Sequence, residues 1–142
     1  MNGLVLDTNV VSEPRRPRPD SKILAWLAGQ APETLFLTAT VVSELGVGVM
    51  TLPSGRRRSS MEAWLADLVE EHFAGRVLPY DVEAALAFAN LVAAARARGR
   101  EPKLSDAQIA AVARVHGMAV ATRNVRDFEP LGVMVINPWE AG

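Results

Sequence analysis

The sequence predicts an α/β fold built on a mostly parallel sheet of about five strands. Short aliphatic runs alternate with stretches whose apolar residues recur at helical spacing. The runs are too short for helices and rich enough in aliphatics for strands buried on both faces. Those at Leu4–Leu6, Leu35–Leu37 and Ala119–Ala121 stop abruptly on polar residues: Asp7, Thr38 and Thr122. Such alternation implies βαβ units. Right-handed crossovers would bring the three strand ends to one edge of the sheet, where open parallel sheets bind their ligands.

A chain of 142 residues has the length of one domain, expected to span 1–142. Hydrophobic residues make up 49%, enough for a real core. The net charge of -1 gives no global electrostatic case for nucleic acid or membrane binding, so any polyanion must meet a local patch. Without cysteine there are no disulfides or thiolate metal sites, which suits a reducing cytoplasm, the expected location. No basic-then-apolar leader and no run of membrane-spanning length is present, so neither signal peptide nor membrane partner is expected.

Leu4-Val5-Leu6 is the first strand, delivering a carboxylate, a hydroxyl and an amide at Asp7, Thr8 and Asn9. The same triplet also reads as a turn capped by Asp and Asn. Pro14 to Pro19 breaks structure and holds three arginines in a loop. Asp20 is an N-cap for a helix bearing Ile23, Leu24, Trp26 and Leu27, ended by Gly29 and Pro32. After the second strand, a helix from near Thr40 carries the stripe Val41, Val42, Leu45, Val49 and Leu52, with Glu44 in its first or second turn. Gly46 and Gly48 within it each cost roughly 1 kcal/mol relative to Ala, which suggests close packing.

Arg56-Arg57-Arg58 reads as a solvated run, and Ser59-x-x-Glu62 as a capping box opening an amphipathic helix through Phe73. Val77 to Tyr80 is extended, and Pro79 assigns it to a sheet edge. Asp81 caps an Ala-rich helix through Arg98, which Gly99 stops. Ser105-x-x-Gln108 reads as a second capping box, for a helix over Asp106–His116 that is apolar nearly all round and so deeply packed. His116 suits that helix's C-terminus, and His72 has no evident partner. Ala119–Ala121 ends on Thr122, Arg123 and Asn124, followed by Asp127, and Val133–Ile136 is the last strand.

Asp7, Glu44, Asp106 and Asp127 thus belong to elements that begin or end at one sheet edge. Each also has a local explanation, as turn, dipole partner, helix-start residue or loop. Gathered together they would raise one another's pKa unless a cation sits among them. An oxygen-only set suits Mg²⁺ or Mn²⁺. Such a site makes a nucleophile from water and neutralises charge on a phosphodiester. Thr122 and Arg123 suit a phosphate, Arg bidentately.

The ordered motifs DTNV (Asp7–Val10), SEL (Ser43–Leu45), SDAQIAA (Ser105–Ala111) and TRNVRDF (Thr122–Phe128) resemble those of PIN-domain ribonucleases, more narrowly the VapC/FitB-like toxins of bacterial toxin–antitoxin pairs. The resemblance spans nearly the whole chain. It implies a three-layer α/β/α sandwich, Mg²⁺-dependent cleavage of RNA, a homodimer, and a DNA-binding antitoxin that blocks the site. Motif by motif it implies Asp7, Glu44 and Asp106 as metal-binding acids, with Asn9 and Thr122 as polar support. Many PIN domains carry an acid where Asn124 stands here, and Asp127 then either takes that role through water or braces the loop. An aspartyl-nucleophile phosphatase would want a second Asp where Asn9 stands. A receiver-like module would want a lysine where the late strand ends Thr122-Arg123. A non-catalytic PIN-like binding module would not need all three acids.

Overall fold

The computed structural model describes residues 3–140. Its strands are β1 (Leu4–Leu6), β2 (Leu35–Thr38), β3 (Val77–Leu78), β4 (Ala119–Ala121) and β5 (Val135–Ile136). They form one parallel sheet in the order β3-β2-β1-β4-β5. The helices are α1 (Thr8–Ser12), α2 (Ser21–Ala28), α3 (Ala39–Met50), α4 (Arg56–Asp67), α5 (Val82–Ala97), α6 (Leu104–Val115) and α7 (Val125–Phe128).

This strand order explains the layers. From β1 the chain steps outward through β2 to β3, then returns past β1 to β4 and β5. Right-handed crossovers therefore put α1 to α4 on one face and α5 to α7 on the other. The helix contacts mostly group the same way, α1 with α3, α3 with α4, α5 with α6 and α6 with α7, while α3 also meets α6, where Thr40 donates to Gln108 at 3.2 Å. The result is the expected α/β/α sandwich. The step reverses between β1 and β4, the place where doubly wound sheets open a crevice at their carboxyl edge.

The core is aliphatic. Val5, Leu6, Leu37, Val41, Ile109, Val112, Val120 and Phe128 are fully buried. Helix α6 buries Ala107, Ile109, Ala110, Ala111, Val112 and Ala113, as its apolar circumference predicts. Gly3 stands where a Cβ would lie 2.9 Å from Met118, so a side chain there would displace the sulfur end of that residue. Asp20 and Asp81 cap α2 and α5 by accepting from Lys22 N and Ala84 N. The short strand before Pro79 is the sheet edge, as predicted.

Several local expectations fail. Helix α4 starts at Arg56, so the triple arginine is its first turn and Ser59 lies inside it. Its N-cap is Gly55 at φ +150°, a conformation open to glycine, which lets the chain turn into the helix before the apparent capping box. Helix α6 likewise starts at Leu104 with Lys103 at its N-cap, and Ser105 makes no cap. The last strand shortens to Val135–Ile136 because only those residues find ladder partners on β4. His72 pairs with Asp67 at 3.1 Å on the surface. Gly46 and Gly48 are not sites of close approach: an added Cβ would lie 4.0 Å from Leu65 at the first and meet nothing within 4 Å at the second.

Candidate active site

Asp7 leaves β1 and caps α1, so it is both the polar strand end and the local cap that the sequence allowed. Its backbone N–H donates to the Ala121 carbonyl at 2.9 Å, tying the end of β1 to that of β4. Its Oδ1 accepts from Thr8 N at 2.8 Å. Its Oδ2 accepts from the Thr122 hydroxyl at 2.7 Å and from Asn9 Nδ2 at 3.3 Å. That hydroxyl is itself saturated, accepting from Asn9 Nδ2 at 3.4 Å and from Asn124 N at 2.9 Å. Asn9 Oδ1 accepts from Arg123 N at 3.2 Å. One network therefore locks Asp7, Asn9, Thr122 and the backbone after β4 across the switch point.

Glu44 lies in the second turn of α3, beyond the reach of the first-turn dipole explanation. The Thr8 hydroxyl donates to its Oε1 at 2.6 Å and fixes its direction. Asp106, in the first turn of α6, is buried. Its Oδ2 is a buried side-chain atom with no hydrogen-bond partner among the described residues.

A cavity of about 380 Å³ brings these residues together. Asp7, Asn9, Glu44, Asp106 and Asn124 line it, with Thr8, Ser12, Lys103 and Ser105. Thr122 sits beneath it, fully buried behind Asp7. Asp127 and Arg123 line a neighbouring cavity instead. Asp127 pairs with Lys103 Nζ at 3.5 Å, and its charge still reaches Asp7 and Asp106. Thr8, Ser12, Lys103 and Ser105 are not among the site residues that the sequence points to. Thr8 had a signal, as a polar residue at a strand end. Lys103 had none, because its partner is remote in sequence.

The electrostatics follow from burial. Desolvation pushes the Asp106 carboxyl from its ordinary 3.8 up to about 6. The charges of Asp7, Asp127 and Glu44 add to the rise, and Lys103 opposes it. Burial also raises Asp7, against the bonds from Thr122 and Thr8, with Glu44 and Asp127 adding to the rise. Among the described residues no group of acids stands in finished coordinating geometry for a metal ion. The chemistry of the lining nevertheless fits a hard divalent cation: carboxylate, amide and hydroxyl oxygens, with no thiolate or imidazole. The unpartnered Asp106 Oδ2 is a buried acceptor left for such a ligand.

A PIN domain family model matches residues 4–132. VapC ribonuclease Y4jK of Sinorhizobium fredii is 44% identical over 137 residues, covering 96% of this chain and 98% of the relative. Toxin FitB of Neisseria gonorrhoeae is 39% identical over 136 residues, covering 96% and 98%. The solved structure of FitAB bound to an IR36 DNA fragment superposes with a TM-score of 0.93 at 37% identity, over 98% of this chain and 97% of that one. No helix among the described residues is long and apolar enough to cross a membrane.

Proposed function

The chain belongs to the PIN-domain family, among its VapC- and FitB-like toxins, and we propose that it is the ribonuclease toxin of a toxin–antitoxin pair. It cuts RNA phosphodiester bonds with Mg²⁺, or Mn²⁺ in its place, held by Asp7, Glu44 and Asp106. The observation that carries this reading is the meeting of the three acids in one cavity, one with a buried oxygen unpartnered. The cysteine-free chain suits the cytoplasm, where its RNA would be met.

A divalent cation in such a site supplies a water of lowered pKa and offsets charge on the scissile phosphate. The protein's part is to hold the acids ready. Three donors fix Asp7, and Thr8 aims Glu44. Burial raises the Asp106 carboxyl to about 6, and this residue would hold the cation as a carboxylate, without its proton. Asn9 and Thr122 keep the Asp7 carboxylate in register, and Asn124 and, in the neighbouring cavity, Arg123 would meet the RNA backbone. In-line attack by water leaves a 5′-phosphate and a 3′-hydroxyl. RNA should be cleaved with Mg²⁺ and spared in excess chelator. Cleavage that persists in chelator rejects the proposal.

Asp127 braces the loop through Lys103 rather than lining the acid cavity. Its conversion to Asn should therefore lower kcat/KM about 10–100-fold, the range for groups that orient or tune metal ligands. A loss as complete as that of Asp7→Asn would make it a ligand.

A second groove supports an inhibitory antitoxin. Leu45, Gly48, Val49, Leu52, Met61 and Trp64 line it between α3 and α4, and it runs on to Thr8, Ser12 and Glu44 of the acid cavity. Met50 beside it is 51% exposed. An apolar segment laid there, with anchors at helical spacing, would end over the active site. Trp26 and Leu27 are partly buried against the core and are not part of this groove. Co-expression with the cognate small protein should yield a complex devoid of nuclease activity, whose light scattering reads the subunit count of a paired homodimer. Gly48→Leu, whose Cβ would meet nothing within 4 Å, should keep activity and weaken that complex at least about tenfold by filling the groove. A complex that cuts RNA at the rate of the isolated toxin would reject an inhibitory partner.

A further inference from the structure

Beside the acid cavity lies a larger one of about 500 Å³, and Asn124 lines both. Arg123, Arg126 and Asn137 line the second as well. The Arg123 guanidinium lies 5.0 Å from the centre of the Trp139 ring, stacked over it. Its backbone is fixed too, through Arg123 N to Asn9 Oδ1 at 3.2 Å, so the residue is anchored at both ends. The Trp139 backbone is held in turn: its amide N–H donates to Asn137 Oδ1 at 3.0 Å, and Lys22 Nζ donates to its carbonyl at 3.1 Å. The first bond orients the Asn137 amide and leaves its NH₂ group available. The cavity also holds two carboxylates, set against its two arginines. Asp127 is paired with Lys103, and Glu140 is exposed, where solvent screens it.

We propose that this cavity is the subsite for the nucleotide adjoining the cleaved bond. Its phosphate pairs with Arg123 and Arg126, Asn137 meets its polar edge, and Trp139 is the positioning residue that keeps Arg123 extended. The volume falls within the range of small-ligand clefts. A planar guanidinium stacked on an aromatic face keeps its donor fork open to a phosphate. This assignment rests on the ribonuclease reading, but its test does not require cleavage.

The probe is a fluorescently labelled, mixed-sequence single-stranded RNA, titrated in chelator. Arg123→Ala, an exposed substitution, should weaken binding about 10–100-fold. It should also flatten the slope of log affinity against log salt by about 0.7, the share of one single-strand phosphate contact. Trp139→Ala should cost about 2–5-fold, Trp139→Tyr should restore most of that, and the double variant should bind no worse than Arg123→Ala. In Mg²⁺ both losses should fall on KM rather than kcat. Wild-type affinity and salt slope in Arg123→Ala overturn the subsite, as do additive losses in the double variant or an absence of RNA binding. Chelator-sensitive cleavage alongside an unaffected Arg123→Ala would leave the ribonuclease standing and remove the subsite alone. Arg123-dependent binding without cleavage would do the reverse.

Discussion

Asp106→Asn should leave the protein folded and lower RNA cleavage by about 10³-fold or more, measured as kcat/KM on a labelled substrate in Mg²⁺. A cation's stabilisation of transition-state charge is worth several kcal/mol, and each 1.36 kcal/mol is tenfold in rate. Asp7→Asn should be equally inactive, but it is the less clean experiment. Both Asp7 oxygens accept, and the Thr122 hydroxyl facing Oδ2 has its two acceptor sites filled by Asn9 and Asn124. An amide NH₂ there meets donors with nowhere to bond, at a cost of about 1–3 kcal/mol. Asp106 Oδ2 has no partner to lose. Near-wild-type cleavage by well-folded Asp106→Asn would remove that residue from the machinery.

The parts of this site legible in the sequence are those that local patterns carry. Asp7 announces itself because a strand buried on both faces stops on it, and a parallel sheet builds its crevice there. Glu44 and Asp106 follow from helix position and motif order. The bonds that make these acids a site are not legible, because they join residues remote in sequence. Thr8 aims Glu44 across 36 positions, and Thr122 holds Asp7 across 115. Lys103 opposes the rise in Asp106 and pairs with Asp127 from what sequence presents as a loop. Trp139 comes under Arg123 only once β5 has placed the chain after it. Helix starts depart from the capping-box pattern where a glycine or a lysine, rather than a serine, stands at the N-cap. A capping-box pattern states what a residue can do, and burial elsewhere decides whether the helix has already begun.

In chelator at pH 7, Asp106→Asn should also melt higher than wild type, by roughly 5 °C or more. The Asp106 carboxyl rises on folding from 3.8 to about 6. A raised folded pKa means that the native state binds the proton more tightly. The associated stability is complete below the unfolded pKa and disappears as pH climbs through about 6. At pH 7 the ionised group therefore makes the native state about 3 kcal/mol less stable than its protonated equivalent. A neutral asparagine escapes that cost. Against it stands the loss of a negative charge from the first turn of α6, worth about 0.3–1 kcal/mol. The net is roughly 2 kcal/mol in favour of the variant, and the gap should close as pH falls toward 4, where wild-type Asp106 becomes neutral as well. Mg²⁺ should stabilise the wild type by about 2.7 kcal/mol at a hundred times Kd, raising its melting temperature as its concentration rises, and the variant should lose most of that response. If Asp106 were only a helix-start residue, the dipole effect would act alone, and the variant would melt lower at pH 7 with its Mg²⁺ response unchanged. The sign of the melting shift, taken together with the Mg²⁺ response, thus separates a held cation site from a helix terminus before any RNA target is known.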